Sequence, residues 1–250
     1  IDGVGGAPRF VIEGAQWLAE TFFRRDPSAT GPKSYDVRIE LTQGDPWLRD
    51  HIVDGDVSAV NTTMAARTGH GVWAPIVSEP SLPWLEAIDP TWDLVAMPHD
   101  EWVERRVSLR LQEAFKSVQR KSIGIAVATK VLHMKRPALI PVLDSLVLAQ
   151  VGVRPTDDVT SWVAGAARLR EVGRANAQAL ADIREHLALR GIGGRSTVRI
   201  LDALLWVSHP AAGFSSSLVG WERVLRPHHT MKLSEASVSR STRVTRDSPA

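Results

Sequence analysis

One stretch in the middle of the chain most constrains the fold. Residues 121–150, KSIGIAVATKVLHMKRPALIPVLDSLVLAQ, carry apolar side chains at helical spacing on both sides of a crossing that contains Pro137 and Pro141. The pattern predicts two apolar helices joined by a short turn. Two charges interrupt it: Lys130 lies among Val and Leu residues, and Asp144 directly follows Leu-Ile-Pro-Val-Leu. A pair of helices built only for packing needs neither charge, so we interpret this stretch as the centre of a functional site.

The rest of the chain shows the same helical spacing of apolar residues between turns rich in Gly, Pro and Ser. We predict an all-α, multi-helical fold with at most a minor β arm at residues 35–41, where side chains alternate. The expected helices besides the central pair span residues 13–24, 46–53, 54–68, 82–88, 99–118, 159–171, 173–189 and 196–207.

The domain organisation predicted from the sequence is simple. We expect residues 1–225 to form a single helical domain, or two helical lobes with a cleft between them. Residues 226–250 are rich in Ser, Thr and Arg without apolar periodicity, which predicts a basic disordered tail.

Composition excludes several classes of protein. The 250 residues include no Cys, which rules out disulfides and thiolate metal sites and favours a reducing, cytoplasmic setting. No apolar run approaches the roughly 18 residues of a membrane span, and no signal peptide is visible. We therefore expect a cytoplasmic protein, monomeric and without a membrane partner.

Charge is distributed unevenly. The whole chain carries a formal charge of +2, yet residues 105–136 contain nine Lys or Arg residues against one acid, Glu113, a local charge of +8. The remainder therefore carries −6. A polyanion responds to such a local excess more than to the net charge, so the segment favours a nucleic-acid partner. The alternative is a set of solvated helix faces with no ligand.

Lys130 and Asp144 are the candidate catalytic residues. Burial among apolar side chains lowers the pKa of a lysine and favours a neutral, nucleophilic amine. Asp144 begins the next helix, where the helix dipole favours a carboxylate that activates water or stabilises a developing cation. In the alternative interpretation, Asp144 caps its helix and Lys130 forms a salt bridge with it.

The order of these features resembles the catalytic segment of the helix-hairpin-helix DNA glycosylases, especially the 8-oxoguanine type. The resemblance covers about thirty residues and implies a helix-hairpin-helix glycosylase-like fold. It implies that Ile123-Gly124-Ile125-Ala126 binds a DNA phosphate through backbone N–H groups, with Lys121 beside it. It also implies that Lys130 attacks the sugar carbon of an extruded nucleotide and that Asp144 assists departure of the base.

The match to that family has three differences. Ala126 stands where the family has its second glycine, Lys130 falls about two positions late, and the crossing to Asp144 is shorter. The segment ATKVLHMKRPALIPVLDSLV also resembles an uncharacterised bacterial domain family that shares a lysine, a Lys-Arg-Pro and a Pro-x-x-Asp-Ser motif.

Three further residues of the lysine helix are candidate DNA contacts. Lys135 and Arg136 lie at its C-terminal end, where cations either favour the helix dipole or meet a phosphate. His133 lies three residues beyond Lys130 on the same face, where it contacts a phosphate or shuttles a proton, or else is a hydrogen-bonded core histidine.

A second glycine turn, at residues 189–193, fits the hydrophobic-Gly-hydrophobic-Gly form of a DNA-binding hairpin. If it is a phosphate nest, Gly191, Gly193, Gly194, Arg195 and Ser196 contribute to a second anchor on the same duplex. The alternative is that the glycines only close a helix.

Other enzyme classes lack their motifs: the chain has no Walker or Rossmann glycine pattern, no Gly-x-Ser-x-Gly and no HExxH. We expect no catalytic metal, cofactor or bound nucleotide. The favoured hypothesis is a DNA N-glycosylase, a hydrolase of N-glycosyl bonds with or without lyase activity. It would bind double-stranded DNA and excise a damaged or modified base, phage-type hypermodified bases included. The alternatives are a non-enzymatic DNA-binding module and a helical protein-interaction domain.

Overall fold

The computed structural model describes residues 12–26, 29, 34–64, 66–154, 156 and 158–209. Thirteen helices and no strand lie within these ranges, so the predicted all-α, multi-helical fold is confirmed. The helices are α1 Ile12–Arg25, α2 Tyr35–Gly44, α3 Pro46–Asp50, α4 Asp54–Thr63, α5 His70–Val77, α6 Pro83–Glu86, α7 His99–Glu104, α8 Val107–Val118, α9 Ile125–Lys135, α10 Ser145–Gln150, α11 Val159–Ala175, α12 Ala177–Leu189 and α13 Thr197–Ser208.

The predicted β arm at residues 35–41 is wrong, because this segment is helix α2. Ser34 caps the helix by accepting a hydrogen bond from the N–H of Val37 at 3.3 Å. Tyr35, Ile39 and Thr42 are buried at spacings of four and three, so the segment packs with a helical period. Over these few residues, the alternation seen in the sequence and the helical period could not be told apart.

Helices α3 and α4 are shorter than expected. Helix α3 begins as predicted, with Pro46 in its first turn and Asp45 accepting from two backbone N–H groups, but it ends at Asp50. Helix α4 ends at Thr63 instead of residue 68. Its start is capped by Asp56, whose carboxylate accepts from the N–H of Val53 at 2.9 Å.

The predicted helix at 99–118 is broken in two. Residues Arg105 and Arg106 separate α7 from α8, and Arg106 adopts the left-handed conformation at φ 52° and ψ 40°. The conformation is uncommon for a residue with a side chain, and no glycine marked the break in the sequence. The predicted helix at 82–88 is reduced to α6, and the sequence did not predict α5, which has Pro75 inside it.

The central lysine helix α9 is enclosed by other helices. It packs against α2, α3, α4 and α8, while α13 packs against α1, α10 and α12. Helix α11 lies along α8. Gly173 of α11 is needed here, since a Cβ at this position would lie 2.5 Å from a methyl carbon of Val95. The buried apolar residues form one core cluster that runs from Ala15 to Leu205.

The predicted tail at 226–250 lies outside the described residues. Within those residues, no helix combines the length and the apolar character needed to cross a lipid bilayer.

Candidate active site

Lys130 lies inside the fold with its amine held by a backbone carbonyl. The residue is 9% exposed, and its Nζ donates to the carbonyl oxygen of Met64 at 2.9 Å. Met64 is the C-cap of α4, a position where the helix dipole favours a cation. The backbone oxygen of Lys130 accepts from the hydroxyl of Tyr35 at 2.6 Å, which ties α9 to α2. The lysine therefore has both a structural contact and a place beside the cavity described below.

Asp144 is the N-cap of α10. Its Oδ1 accepts from the N–H groups of Leu146 at 3.0 Å and Val147 at 2.9 Å. Oδ2 accepts no hydrogen bond from the part of the chain that the structure describes. One carboxylate oxygen thus fixes the side chain, and the other is open to a ligand.

Thr129 sets the position of Asp144 relative to Lys130. Its hydroxyl donates to the carbonyl of Ile125 at 2.7 Å and accepts from the N–H of Leu143 at 3.0 Å. This hydrogen bond joins Leu143 of the crossing to Thr129 of α9. Leu143 directly precedes Asp144, and Thr129 directly precedes Lys130. The two candidate residues are brought together by this bridge.

Lys130 and Asp144 line the same cavity, which we call the central cleft. Its volume is about 520 Å³, within the range of pockets that hold small organic ligands. The lining residues come from the ends of α1 and α4 and from α9, α10 and α13: Phe22, Asp26, Thr63, Met64, Ile125, Ala126, Lys130, Val142, Asp144, Ser145, Leu146, Arg199, Asp202, Ala203 and Trp206.

A buried network of charges forms one wall of the central cleft. Arg199 donates to both oxygens of Asp36, at 2.9 and 3.2 Å, and to Oδ2 of Asp202 at 2.8 Å. Burial alone would lower the pKa of Arg199, but these two carboxylates raise it above its ordinary value. Burial lowers the pKa of Lys130, and the nearby Asp144 and Asp202 oppose that change.

Asp202 has the most strongly altered carboxyl in the cleft. The residue is 3% exposed, and burial raises its pKa from the ordinary 3.8 to about 7. The charge of Asp144 adds to the rise, while Arg199 and Lys130 oppose it. Among the three carboxyl residues of the cleft lining, Asp26, Asp144 and Asp202, the last two therefore lie in different surroundings, an arrangement typical of acid–base pairs.

The structure excludes Lys135 and Arg136 from any surface interface. Lys135 is fully buried, forms an ion pair with Asp56 at 2.5 Å and donates to the carbonyl of Leu48 at 2.7 Å. Arg136 is 1% exposed and donates to five acceptors, which are Asp50 Oδ1 and the carbonyls of Ile88, Leu85, Arg49 and Lys135. Both side chains hold together the elements around α9, and their prediction as phosphate contacts is wrong.

His133 is a core histidine, as the alternative interpretation held. The residue is fully buried, its Nδ1 donates to the carbonyl of Ile140 at 2.6 Å, and its ring stacks on Tyr35. Burial lowers its pKa from 6.5 to about 4, so the ring is neutral at physiological pH. It does not line the central cleft, and its predicted contact with a phosphate is wrong.

The first predicted hairpin joins α8 to α9. Gly124 is the N-cap of α9, and its φ of −79° is a conformation that any residue can adopt. The turn therefore does not require a glycine at this position. The N–H groups of Ile125 and Ala126 have no acceptor among the described residues. Lys121 is exposed in the turn. The geometry thus leaves two backbone donors in the cleft lining and an exposed cation in the turn that precedes them.

The second predicted hairpin joins α12 to α13. Gly191 has φ 76° and closes α12: its N–H donates to Ala188, and the N–H of Ile192 donates to Leu187 at 2.8 Å. Gly191 therefore caps a helix, as the structural alternative held. Gly194 also has φ 76°.

The two polar side chains of this second hairpin already have partners. Arg195 pairs with Glu40, and Ser196 donates to the carbonyl of Pro137 at 2.6 Å while capping α13. The N–H groups of Gly193 and Gly194 have no acceptor in the described ranges, and they border a second cavity of about 470 Å³.

Sequence reasoning missed Arg199 and Asp202. Both lie in α13, TVRILDALLWVS, where they are the only charged residues in an otherwise largely apolar helix. The sequence carried the same signal that identified Lys130, a charge among apolar neighbours. Arg199 and Asp202 are also three residues apart, which places them on one face of the helix.

Comparison with known proteins gives one match. Residues 15–209 match a family model described as a family of unknown function, DUF6308. Searches of curated proteins and of solved structures found no match.

Proposed function

We propose that this chain, which belongs to the DUF6308 family, is a DNA N-glycosylase that takes an extruded base into the central cleft and hydrolyses its glycosidic bond. One observation carries the proposal: Asp144, Asp202 and Lys130 all line one cavity, whose remaining lining is mostly apolar. Most glycoside hydrolases use two carboxyl groups in different environments, and we extend that division of roles to the N-glycosidic bond.

The walls and volume of the central cleft suit a flat heterocycle. Phe22 and Trp206 supply aromatic surface, and Ile125, Val142 and Leu146 supply aliphatic surface. Enzymes that act on a base in DNA must extrude it from the stack and hold it between such side chains. About 520 Å³ leaves room for a modified base together with part of its sugar.

Three exposed cations that precede the cleft residue Ile125 in the chain would supply a surface for the DNA backbone. We give the name basic turn to three exposed cations in the last turn of α8 and in the turn that follows it: Lys116, Arg120 and Lys121. Four residues span at most about 14 Å, so Lys121 lies within that distance of Ile125 in the cleft lining. A phosphate between Lys121 and the free N–H groups at the start of α9 would leave its nucleotide at the cleft mouth. The N–H groups of Gly193 and Gly194 are the proposed second anchor.

The chemistry assigned to Asp144 follows from its open oxygen. With Oδ1 fixed by two backbone donors, Oδ2 is free to accept a proton from water and to stabilise positive charge on the sugar. The amine of Lys130 offsets the negative charge of Asp144 in the cleft. A covalent attack by Lys130 would require the amine to leave Met64, and borohydride trapping of a protein–DNA adduct would reveal it.

The test is release of a base from DNA. Duplexes that each carry one of a panel of damaged or bulky modified bases are incubated with the protein and then heated in alkali. Strand breaks at one of the modified bases support the proposal. Binding without breaks would indicate a DNA-binding module, and no binding even at low salt would favour a protein-interaction domain.

The basic turn gives a prediction on salt dependence. Replacing Lys116, Arg120 and Lys121 with Gln should weaken binding to every duplex alike. It should reduce the slope of log K against log salt by about 2.7, since each lost phosphate contact removes about 0.9. Fluorescence anisotropy between 50 and 200 mM salt, roughly the range over which such contacts are lost, measures the slope.

A control variant replaces two cations of the same segment that already have acidic partners. Arg105 and Arg110 belong to the same segment, but each is already paired with an acid, Glu101 at 2.7 Å and Glu113 at 3.1 Å. Their replacement with Gln should change the slope little. If this control weakens binding as much as the basic-turn variant does, the DNA surface is misplaced.

A further inference from the structure

Asp202 is a buried carboxyl group with one oxygen left open. Its Oδ2 accepts from Arg199 at 2.8 Å, whereas Oδ1 accepts no hydrogen bond within the described ranges. We propose that Asp202 is the general acid that protonates the departing base. The inference rests on the proposed function, because it assigns a role within that same reaction.

The geometry separates Asp202 from Asp144 by role. Asp144 is partly exposed, and its Oδ1 is held by two backbone N–H donors. Asp202 is 3% exposed and accepts one hydrogen bond from Arg199. The same guanidinium also donates to both oxygens of Asp36. Since Arg199 is shared between two carboxyl groups, it neutralises Asp202 only in part.

The charged groups around Asp202 come from several elements that border the cleft. Lys130 of α9 and Asp144 at the start of α10 interact with it electrostatically, and Asp26 lies in the lining at the end of α1. Helix α12 contributes no lining residue within the described part of the chain. Burial, with Asp144 adding to it, raises the pKa of Asp202 to about 7, so the carboxyl retains a proton near neutral pH. Efficient general acids have values in that range.

The step can be written with every proton assigned. Water attacks C1′ of the sugar, the bond between C1′ and the base nitrogen breaks, and its electron pair passes to the base. The Asp202 carboxyl gives its proton to a ring nitrogen of the base, while Asp144 takes a proton from the attacking water. The products are a neutral free base and an abasic sugar with a hydroxyl on C1′. Exchange with solvent then restores both carboxyl groups.

The inference predicts a specific change in the pH profile. The probe is the duplex whose base the unmodified protein releases fastest, measured in single turnovers. With a general acid that must be protonated, the rate of release should fall as pH rises through about 7. Asp202→Asn should lower the rate about 100-fold or more and remove this fall. Asn can still accept from Arg199, so folding and affinity for an abasic duplex should stay within about threefold of the unmodified protein.

Asp36→Asn is the matched control. Asp36 shares Arg199 with Asp202 but does not line the cleft. This variant should keep its rate at acid pH. The substitution removes the negative charge of Asp36, which leaves Arg199 to interact more strongly with Asp202. The pKa of Asp202 should therefore fall, and the rate of base release should begin to drop at lower pH.

Two outcomes overturn the inference separately from the proposed function. If Asp202→Asn releases the base at the unmodified rate, Asp202 is not the acid even though the protein is a glycosylase. A carbon-13 NMR titration of the Asp202 carboxyl in the absence of DNA should show a midpoint near 7; a midpoint below about 5 would also overturn it. If the unmodified protein releases no base from any duplex, the proposed function fails and the inference fails with it.

Discussion

Replacing Asp144 with Asn is expected to reduce base release by about 10³-fold. In the proposed mechanism, the substitution removes the charge that stabilises a positive sugar and the oxygen that accepts a proton from water. It should leave the fold intact, because Asn is as good an N-cap as Asp and can accept the same bonds from Leu146 and Val147. Single-turnover release from a modified duplex, with the thermal midpoint and duplex affinity measured in parallel, checks the prediction.

Asp158 offers a matched control for this variant. It is the N-cap of α11, accepts from the N–H of Thr160 at 3.1 Å and does not line the central cleft. Asp158→Asn should therefore release the base at the unmodified rate. If Asp144→Asn behaves in the same way, the assignment of the catalytic carboxylate is wrong.

The second large effect is on stability. Replacing Arg136 with Met should lower the free energy of unfolding by about 4 kcal/mol, since each buried acceptor left without a donor costs about 1–3 kcal/mol. The loss leaves Asp50 without its guanidinium, and it leaves the carbonyls of Ile88 and Leu85 buried without donors. The thermal midpoint should fall by roughly 8–16 °C for a chain of this size.

Lys121→Met is the control for Arg136, since it removes an exposed cation from the same basic segment. It should weaken DNA binding and leave the thermal midpoint within about 2 °C of the unmodified protein. The structural role of Arg136 would be contradicted if Arg136→Met kept its thermal midpoint and lost only DNA binding.

The convergence of Lys130 and Asp144 could be predicted because both lie in one local pattern. Fourteen residues separate them, and the apolar helix, the Pro-bounded crossing and the capping aspartate are all visible in the sequence. The structure adds the means of convergence, which is the bridge from Thr129 to Leu143. A hydroxyl inside an apolar helix carries no sign of such a distant partner.

The roles of Lys135 and Arg136 could not be read from the sequence for a physical reason. Their partners lie far back in the chain: Asp56 for Lys135, and Asp50 and Ile88 for Arg136. Two adjacent cations at a helix end have the same local pattern whether they face solvent or satisfy buried carbonyls. Charge counted along the sequence therefore overstated the exposed positive surface.

Asp202 was missed for a related reason. It lies 58 residues after Asp144, and only the packing of α13 against α10 brings the two carboxyl groups to one cleft. The sequence shows Arg199 and Asp202 three residues apart in an apolar helix, a pattern that also fits an ordinary buried ion pair. Only the position of the cleft distinguishes the two interpretations. The all-α fold needed less information, because helical spacing is local and repeats along the chain.

The most direct test of the glycosylase mechanism does not require the natural base to be known. Two duplexes are compared by equilibrium binding, one with a neutral tetrahydrofuran abasic analogue and one with a pyrrolidine analogue whose protonated nitrogen imitates the positive sugar. We predict at least about 100-fold tighter binding of the pyrrolidine duplex, as expected for a transition-state analogue, and loss of that preference in Asp144→Asn. Equal affinity of the unmodified protein for the two duplexes would contradict it.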